Sequence, residues 1–186
     1  LQLARIESGQ DIYELRPVAA GPTIESCLRE HAAVAEAKGV MLSSDPPEIE
    51  LSVRADHDGL RTILDNLVDN ALQHTHAGGR VTVRWGPEDA SLAIAVEDTG
   101  SGIPRQHLPR IFERFYRADK ARSRERGGTG LGLAIVKHLV QVFGGDVTVD
   151  SQAGRGSTFT VRIPLLAADA QAPAAEDSPQ VEPVGA

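Results

Sequence analysis

The chain has 186 residues, 41% of them hydrophobic and 24% charged, which is enough for one domain with a closed core. A formal net charge of −7 argues against general nucleic-acid binding, and a single cysteine excludes a disulfide framework or a multi-cysteine zinc site. No apolar run approaches the roughly 18–20 residues of a membrane helix, and the opening Leu1-Gln2-Leu3-Ala4-Arg5 lacks the pattern of a signal peptide.

Residues 1–9 predict a helical end stopped by Gly9, and residues 11–18 a strand reaching Pro17. A helix is expected from about Thr23 to Gly39. Ile24, Cys27, Leu28, Ala32 and Ala35 recur on it at the spacing of a buried stripe. His31 falls within this stripe as a satisfied, partly buried residue. Strands are expected at 40–42 and 49–53, parted by the Pro46-Pro47 turn.

The cleanest periodicity lies at 57–76, where Leu60, Ile63, Leu64, Leu67, Val68, Ala71 and Leu72 line one helical face. Gly78-Gly79 ends that helix and opens a hairpin of strands 80–85 and 91–98, whose inward residues are Val81, Val83 and Trp85, then Leu92, Ile94 and Val96. A helix over about 131–143 stops at Gly144-Gly145, and two strands follow, carrying Val147 and Val149, then Phe159, Val161 and Ile163.

Strands buried on both faces read as continuous apolar runs, whereas these alternate, so one face lies under helices and the other is wet. The expectation is an α+β fold, a two-layer α/β sandwich with one mixed sheet and about three helices on one face. From about residue 165 the composition turns to Ala, Pro and acids and predicts a disordered tail. Between Arg110 and Arg126, by contrast, seven basic residues face three acids, which suits a focused anionic ligand.

Three groups of residues carry chemistry. Asp98 shares the parity of Leu92, Ile94 and Val96, so its carboxylate points toward the core and needs a donor. Either it caps its own Asp-Thr-Gly turn, or it accepts from an exocyclic amine and so selects adenine over guanine. Asn66, Asn70 and His74 follow at i, i+4, i+8 and form one row beside the apolar stripe, with Asp69 turned to solvent. Their amide oxygens are hard, neutral ligands that suit Mg²⁺; the alternative is a solvated polar edge. Gly127 to Leu133 runs straight into a helix, whose N-terminus favours anions. Gly154 to Phe159 reads as a hairpin turn, and Ile111, Phe112, Phe115 and Tyr116 as a satellite core anchoring a loop.

Five blocks in order, Asn66-Leu-Val-Asp-Asn70-Ala, Asp98-Thr-Gly-Ser-Gly102, Phe112-Glu-Arg-Phe115-Tyr-Arg117, Gly128-Thr-Gly-Leu-Gly-Leu133 and Gly154-Arg-Gly-Ser-Thr-Phe159, together resemble the catalytic ATP-binding domain of bacterial sensor histidine kinases, a branch of the Bergerat-fold superfamily. The resemblance covers about 56–164 and implies ATP and Mg²⁺ as cofactors. It implies that Asn70 coordinates the metal, Asn66 supports it at the phosphates, and Asp98 reads adenine in a pocket shaped by Gly100, Gly102 and Ile103. It further assigns His74, Gly128, Thr129, Gly130, Leu131, Gly132, Leu133 and Thr158 to the nucleotide site, with 112–129 as a lid and Arg117 as its cation to the terminal phosphate. Catalytic roles would then fall to Asn66, Asn70 and Arg117.

By the same resemblance, residues 1–10 look like the end of a preceding helical dimerisation domain, 11–164 the catalytic domain and 165–186 the acidic tail. Many relatives carry Lys and Tyr where Gln73 and His74 stand here. None of the six histidines sits in the His-Glu-x-x-x-Pro acceptor motif, so the acceptor is expected upstream, and the absence of an initial Met is what a piece of a longer protein would show. The implied partners are the histidine-bearing dimerisation domain of the same parent and a response regulator receiver domain, with no nucleic acid. The parent would be homodimeric and anchored in the inner membrane, and this piece would be monomeric and cytoplasmic. A serine kinase or anti-sigma-type binding module, or a slow ATPase of the same fold, is the alternative.

Overall fold

The computed structural model describes residues 13–118 and 129–166. In chain order it holds β1 (Arg16–Ala19), α1 (Ala20–Ala37), β2 (Met41–Asp45), β3 (Ser52–Ala55), α2 (His57–His74), β4 (Arg80–Glu88), β5 (Ser91–Asp98), a short 3-10 turn (Leu108–Arg110), α3 (Gly132–Val142), β6 (Asp146–Gln152) and β7 (Gly156–Pro164). Five strands form a mixed sheet in the order β2-β4-β5-β7-β6, with β2 parallel to β4 and the other pairs antiparallel. The helical end expected at 1–9 and the tail beyond residue 166 lie outside the described residues.

The alternation in β4, β5 and β7 produces a two-layer molecule. Val83, Val96, Phe159 and Val149 stand side by side in register across four strands and face the helices. Opposite them the sheet is wet: Arg84 pairs with Glu97, and Arg162 bonds Glu88 at 2.9 Å. Such exposed pairs add little stability. The core is hydrocarbon, with Leu60, Ile63, Leu64, Leu67, Leu92, Ile94 and Ile163 all fully buried. Among the described residues no helix is long and apolar enough to cross a membrane.

A second, two-stranded antiparallel sheet of β1 and β3 adds to the expected single sheet. Val18 stands opposite Val53 in it, and this pairing starts the strands later than the expected 11–18 and 49–53 and carries them past those ends, to Ala19 and Ala55. The strand expected at 40–42 begins one residue later, because the Val40 N–H is spent on Ala35 O at 2.9 Å, closing α1. α1 itself starts at Ala20: Thr23 Oγ1 donates to Ala19 O at 3.0 Å. Pro22 falls in the first turn, where its missing N–H costs nothing.

α2 is set by its ends as well as its stripe. Asp56 precedes it and accepts from Gly59 N at 2.8 Å, the N-cap contact that satisfies an otherwise orphan donor. At the other end Thr75 leaves helical geometry while its Oγ1 donates to Ala71 O at 2.7 Å, so the helix stops at His74 rather than at 76. Asp56→Ala should therefore lower folding stability by about 1 kcal/mol, read as a shifted midpoint in urea; an unchanged midpoint would remove the cap from the account.

Candidate nucleotide site

β5 ends in Asp98, only 4% exposed, as the strand's parity requires. Its Oδ1 accepts from Gly100 N at 2.8 Å, so the turn-capping contact is present. A second partner was missed in the sequence: Ser157, opposite Asp98 in the register and itself buried, also hydrogen-bonds the carboxylate. Burial raises the Asp98 pKa above the ordinary carboxylate value, opposed by the Gly100 amide, the nearby His74 and the Ser157 contacts. The result is a desolvated carboxylate held in one orientation.

Thr158, expected in the pocket, stands in register with Glu97 and Asp150 on the opposite face of the sheet from Asp98. The reason is the two-residue period of a strand: with Phe159 inward, Ser157 is inward too and Thr158 is not. That signal was present in the sequence.

The loop after Asp98 is pinned from both sides. Ser101 N donates to His74 O at 3.2 Å, so the end of α2 and the turn after β5 are one unit. A side chain on Gly100 would run into the His74 backbone, so only glycine fits there. Gly102 lies against the β6–β7 turn, and Ile103 N donates to Ser151 Oγ at 2.8 Å. Ser151 Oγ in turn lies 2.9 Å from Ser157 Oγ. Gly100, Gly102, Ile103, His74 and Asp98 are thereby gathered at one end of the sheet.

Asn66 and Asn70 are half-buried along α2, with His74 exposed at its end. Asn66 Nδ2 donates to Thr62 O at 2.7 Å, within its own helix, which turns Oδ1 outward. That oxygen lies so close to Gly132 that a Cβ there would stand 2.5 Å from it. The first turn of α3 thus abuts the amide row of α2, and a side chain at 132 would push the Asn66 amide out of its present position. Leu131 is buried and Leu133 half-buried against the core, which anchors this turn, while Thr129 is exposed. Gly130 O accepts from Phe115 N at 2.9 Å.

The aromatic cluster is a core only in part. Ile111 is buried and Phe112 meets Phe159 edge-on at 6.3 Å, but Phe115 is 67% exposed with a left-handed φ of 62°. Tyr116 Oη lies 2.7 Å from His107 Nδ1, with the Arg110 guanidinium 4.4 Å over its ring. Arg117 is half-buried and has an interaction of its own. Gly128, and most of the segment expected to act as a lid, lie outside the described residues.

The family described as histidine kinase-, DNA gyrase B-, and HSP90-like ATPase matches residues 55–167, from the cap of α2 to the end of β7 and just beyond. The chain belongs to this family. Within it, the sensor histidine kinase WalK of Bacillus subtilis (strain 168) is 47% identical over 120 residues, 63% of this chain and 20% of WalK. The sensor-like histidine kinase SenX3 of Mycobacterium bovis is 37% identical over 166 residues, 89% of this chain and 40% of SenX3. This ATPase-family chain therefore spans well under half the length of these relatives. The mycobacterial sensor histidine kinase MprB superposes with a TM-score of 0.69 at 30% identity, over 81% of this chain and 97% of that one. Full-length ShkA, solved in complex with AMPPNP, gives a TM-score of 0.77 at 31% identity, over 87% of this chain and 33% of that one. The fold is that of a histidine kinase catalytic domain.

Proposed function

We propose that the chain binds Mg·ATP and donates the γ-phosphoryl to a histidine on a separate helical domain of the same parent, for relay to a response regulator. The observation that carries this reading is the pairing of a buried, oriented carboxylate at Asp98 with the Asn66–Asn70 row abutting the glycine-opened turn of α3. A purine amine suits the first, and a charged phosphate tail suits the second. The AMPPNP bound by the relative ShkA supports the same reading.

Asn70 would hold Mg²⁺ with Asn66 beside it, since neutral amide oxygens and phosphates together make the hard oxygen shell that this ion prefers. A Mg²⁺ ion held there would supply positive charge that offsets the phosphates. Positioning and charge neutralisation are then what this chain contributes to transfer, with Arg117 as the expected cation at the terminal phosphate. An amide at 66 cannot accept the proton of an attacking water, so hydrolysis should be slow, which disfavours a fast ATPase. The membrane anchorage of the parent and its pairing with a response regulator belong to the same proposal.

Mixing the chain with a polypeptide bearing the acceptor histidine should give label from γ-labelled ATP on that polypeptide, and negligible label on the chain alone. Comparable labelling without the acceptor would overturn the reading. Asn70→Asp should reduce transfer at least tenfold, or about 1.4 kcal/mol in the barrier, by changing the charge at the metal. Unchanged transfer would remove Asn70 from the site.

A further inference from the structure

α1 and α2 meet through two side-chain pairs at helical i, i+4 spacing, Cys27 with His31 and Asp65 with Asp69. Each pair occupies one face of one turn, and the pairs converge across the seam between the helices. Cys27 Sγ lies 3.3 Å from Asp65 Oδ1 and 3.6 Å from His31 Nδ1, and His31 Nδ1 lies 4.0 Å from Asp65 Oδ1. A tetrahedral zinc ion with bonds of ~2.0–2.3 Å sets adjacent ligand atoms roughly 3.3–3.8 Å apart. The three atoms stand close to that spacing before any ion is added. On the far side of the ring, His31 Nε2 lies 3.2 Å from Asp69 Oδ1, where a carboxylate can accept a hydrogen bond from the second imidazole N–H and so fix the ring of a metal-bound histidine.

Accessibility has the right gradient. Cys27 and His31 are buried, Asp65 is half-buried, and the Asp69 side chain is 70% exposed, so the cluster is closed inward and reachable from solvent along Asp69. The residues proposed for the nucleotide, Asn66 and Asn70, lie roughly 100° further round α2, so the two sites share a helix but no side chain.

We propose that Cys27, His31 and Asp65 form a site for a borderline-soft divalent transition metal of the Zn²⁺ type, oriented by Asp69 and completed by water, which staples α1 to α2 behind the nucleotide site. On loading, the Cys27 thiol gives its proton to solvent, the Nδ1 proton that His31 donates to the Cys27 carbonyl leaves for Nε2 or solvent, and bonds form from the metal to Sγ, Nδ1 and a carboxylate oxygen of Asp65. Nε2–H donates to Asp69, and nothing is oxidised or reduced. His31 Nδ1 now lies 2.8 Å from the Cys27 carbonyl, so the ring must turn toward Sγ to ligate. Arg61 Nε donates to Asp65 Oδ1 at 2.8 Å and its guanidinium also grips Glu30, a positive charge that any metal must displace or tolerate. Burial and the Asp65 contact push the Cys27 thiol up to about 12. Without a metal it is therefore a protonated, unreactive thiol.

The test is a titration of the chelator-stripped chain with Co²⁺ in excess Mg²⁺, followed by the thiolate-to-cobalt charge-transfer absorption. Cys27 is the sole cysteine, so any such band reports this site. Expected are a stoichiometry of one, loss of the band on adding Zn²⁺, loss of the band in Cys27→Ala, and at least tenfold weaker binding in His31→Gln. Asp69 is exposed, so Asp69→Asn keeps the core intact, and it should weaken binding ~10–100-fold. Asp98→Asn, at the nucleotide pocket, should bind Co²⁺ as the unaltered chain does. No thiolate band in the folded chain, or unchanged affinity in Asp69→Asn, overturns the proposal.

Discussion

Replacing Asp98 with asparagine should weaken Mg·ADP and Mg·ATP binding by at least about 1.4 kcal/mol, tenfold in Kd, because a charge-assisted hydrogen bond to the purine is replaced by a neutral one or none. Calorimetry against the unaltered chain measures this directly. The folding effect should have the opposite sign. Burial raises the Asp98 pKa, so the folded state prefers the protonated acid, and keeping it ionised costs stability that grows as pH rises from the unfolded value through the raised folded value. At neutral pH Asp98→Asn is relieved of that cost and should melt no lower than the parent. Nucleotide affinity in the parent should also fall on acidification through that raised pKa, at a pH above the ordinary carboxylate range, and the variant should lack this step. A variant that binds normally, or that shows the same acid-side loss, would dissociate Asp98 from the purine.

The second large effect is on stability. Leu67 is fully buried in the stripe of α2 that packs into the core, next to Asn66 and three residues before Asn70 in sequence. Leu67→Ala should cost about 2–5 kcal/mol, the transfer of the lost methyls plus the cavity left behind. At roughly 2–4 °C per kcal/mol for a domain of this size, the thermal midpoint should fall by roughly 4–20 °C. Below the transition the variant should still bind nucleotide within a few-fold, because the polar row and the apolar stripe are separate faces of the same helix. An unchanged midpoint would contradict the packing described for α2, and loss of binding in fully folded protein would contradict the separation of faces.

α2 was readable from the sequence because its signals agree: a sustained apolar stripe and a polar row at the same period. β5 was readable to the residue, since alternation alone carries Asp98 to the buried side. The small β1–β3 sheet was not, because four-residue strands have too little pattern and their pairing is decided by tertiary register. Thr158 stands on the face of the sheet opposite Asp98, as the parity of Phe159 already implies, and Ser157 takes the inward place. The alternative roles of Asp98, capping a turn or facing a ligand, could not be separated in the sequence. The structure has the cap while the carboxylate remains buried beside Ser157. Cys27 and His31 looked like core residues of α1; their juxtaposition with Asp65 and Asp69 exists only once the two helices pack.

Crystals of the chain grown with Mg·AMPPNP test the central claim most directly. The account predicts the purine amino group within hydrogen-bonding distance of the Asp98 carboxylate, and the phosphates between the Asn66–Asn70 row and the first turn of α3. A purine seated away from Asp98 and Ser157, or phosphates bound elsewhere on the surface, would contradict it.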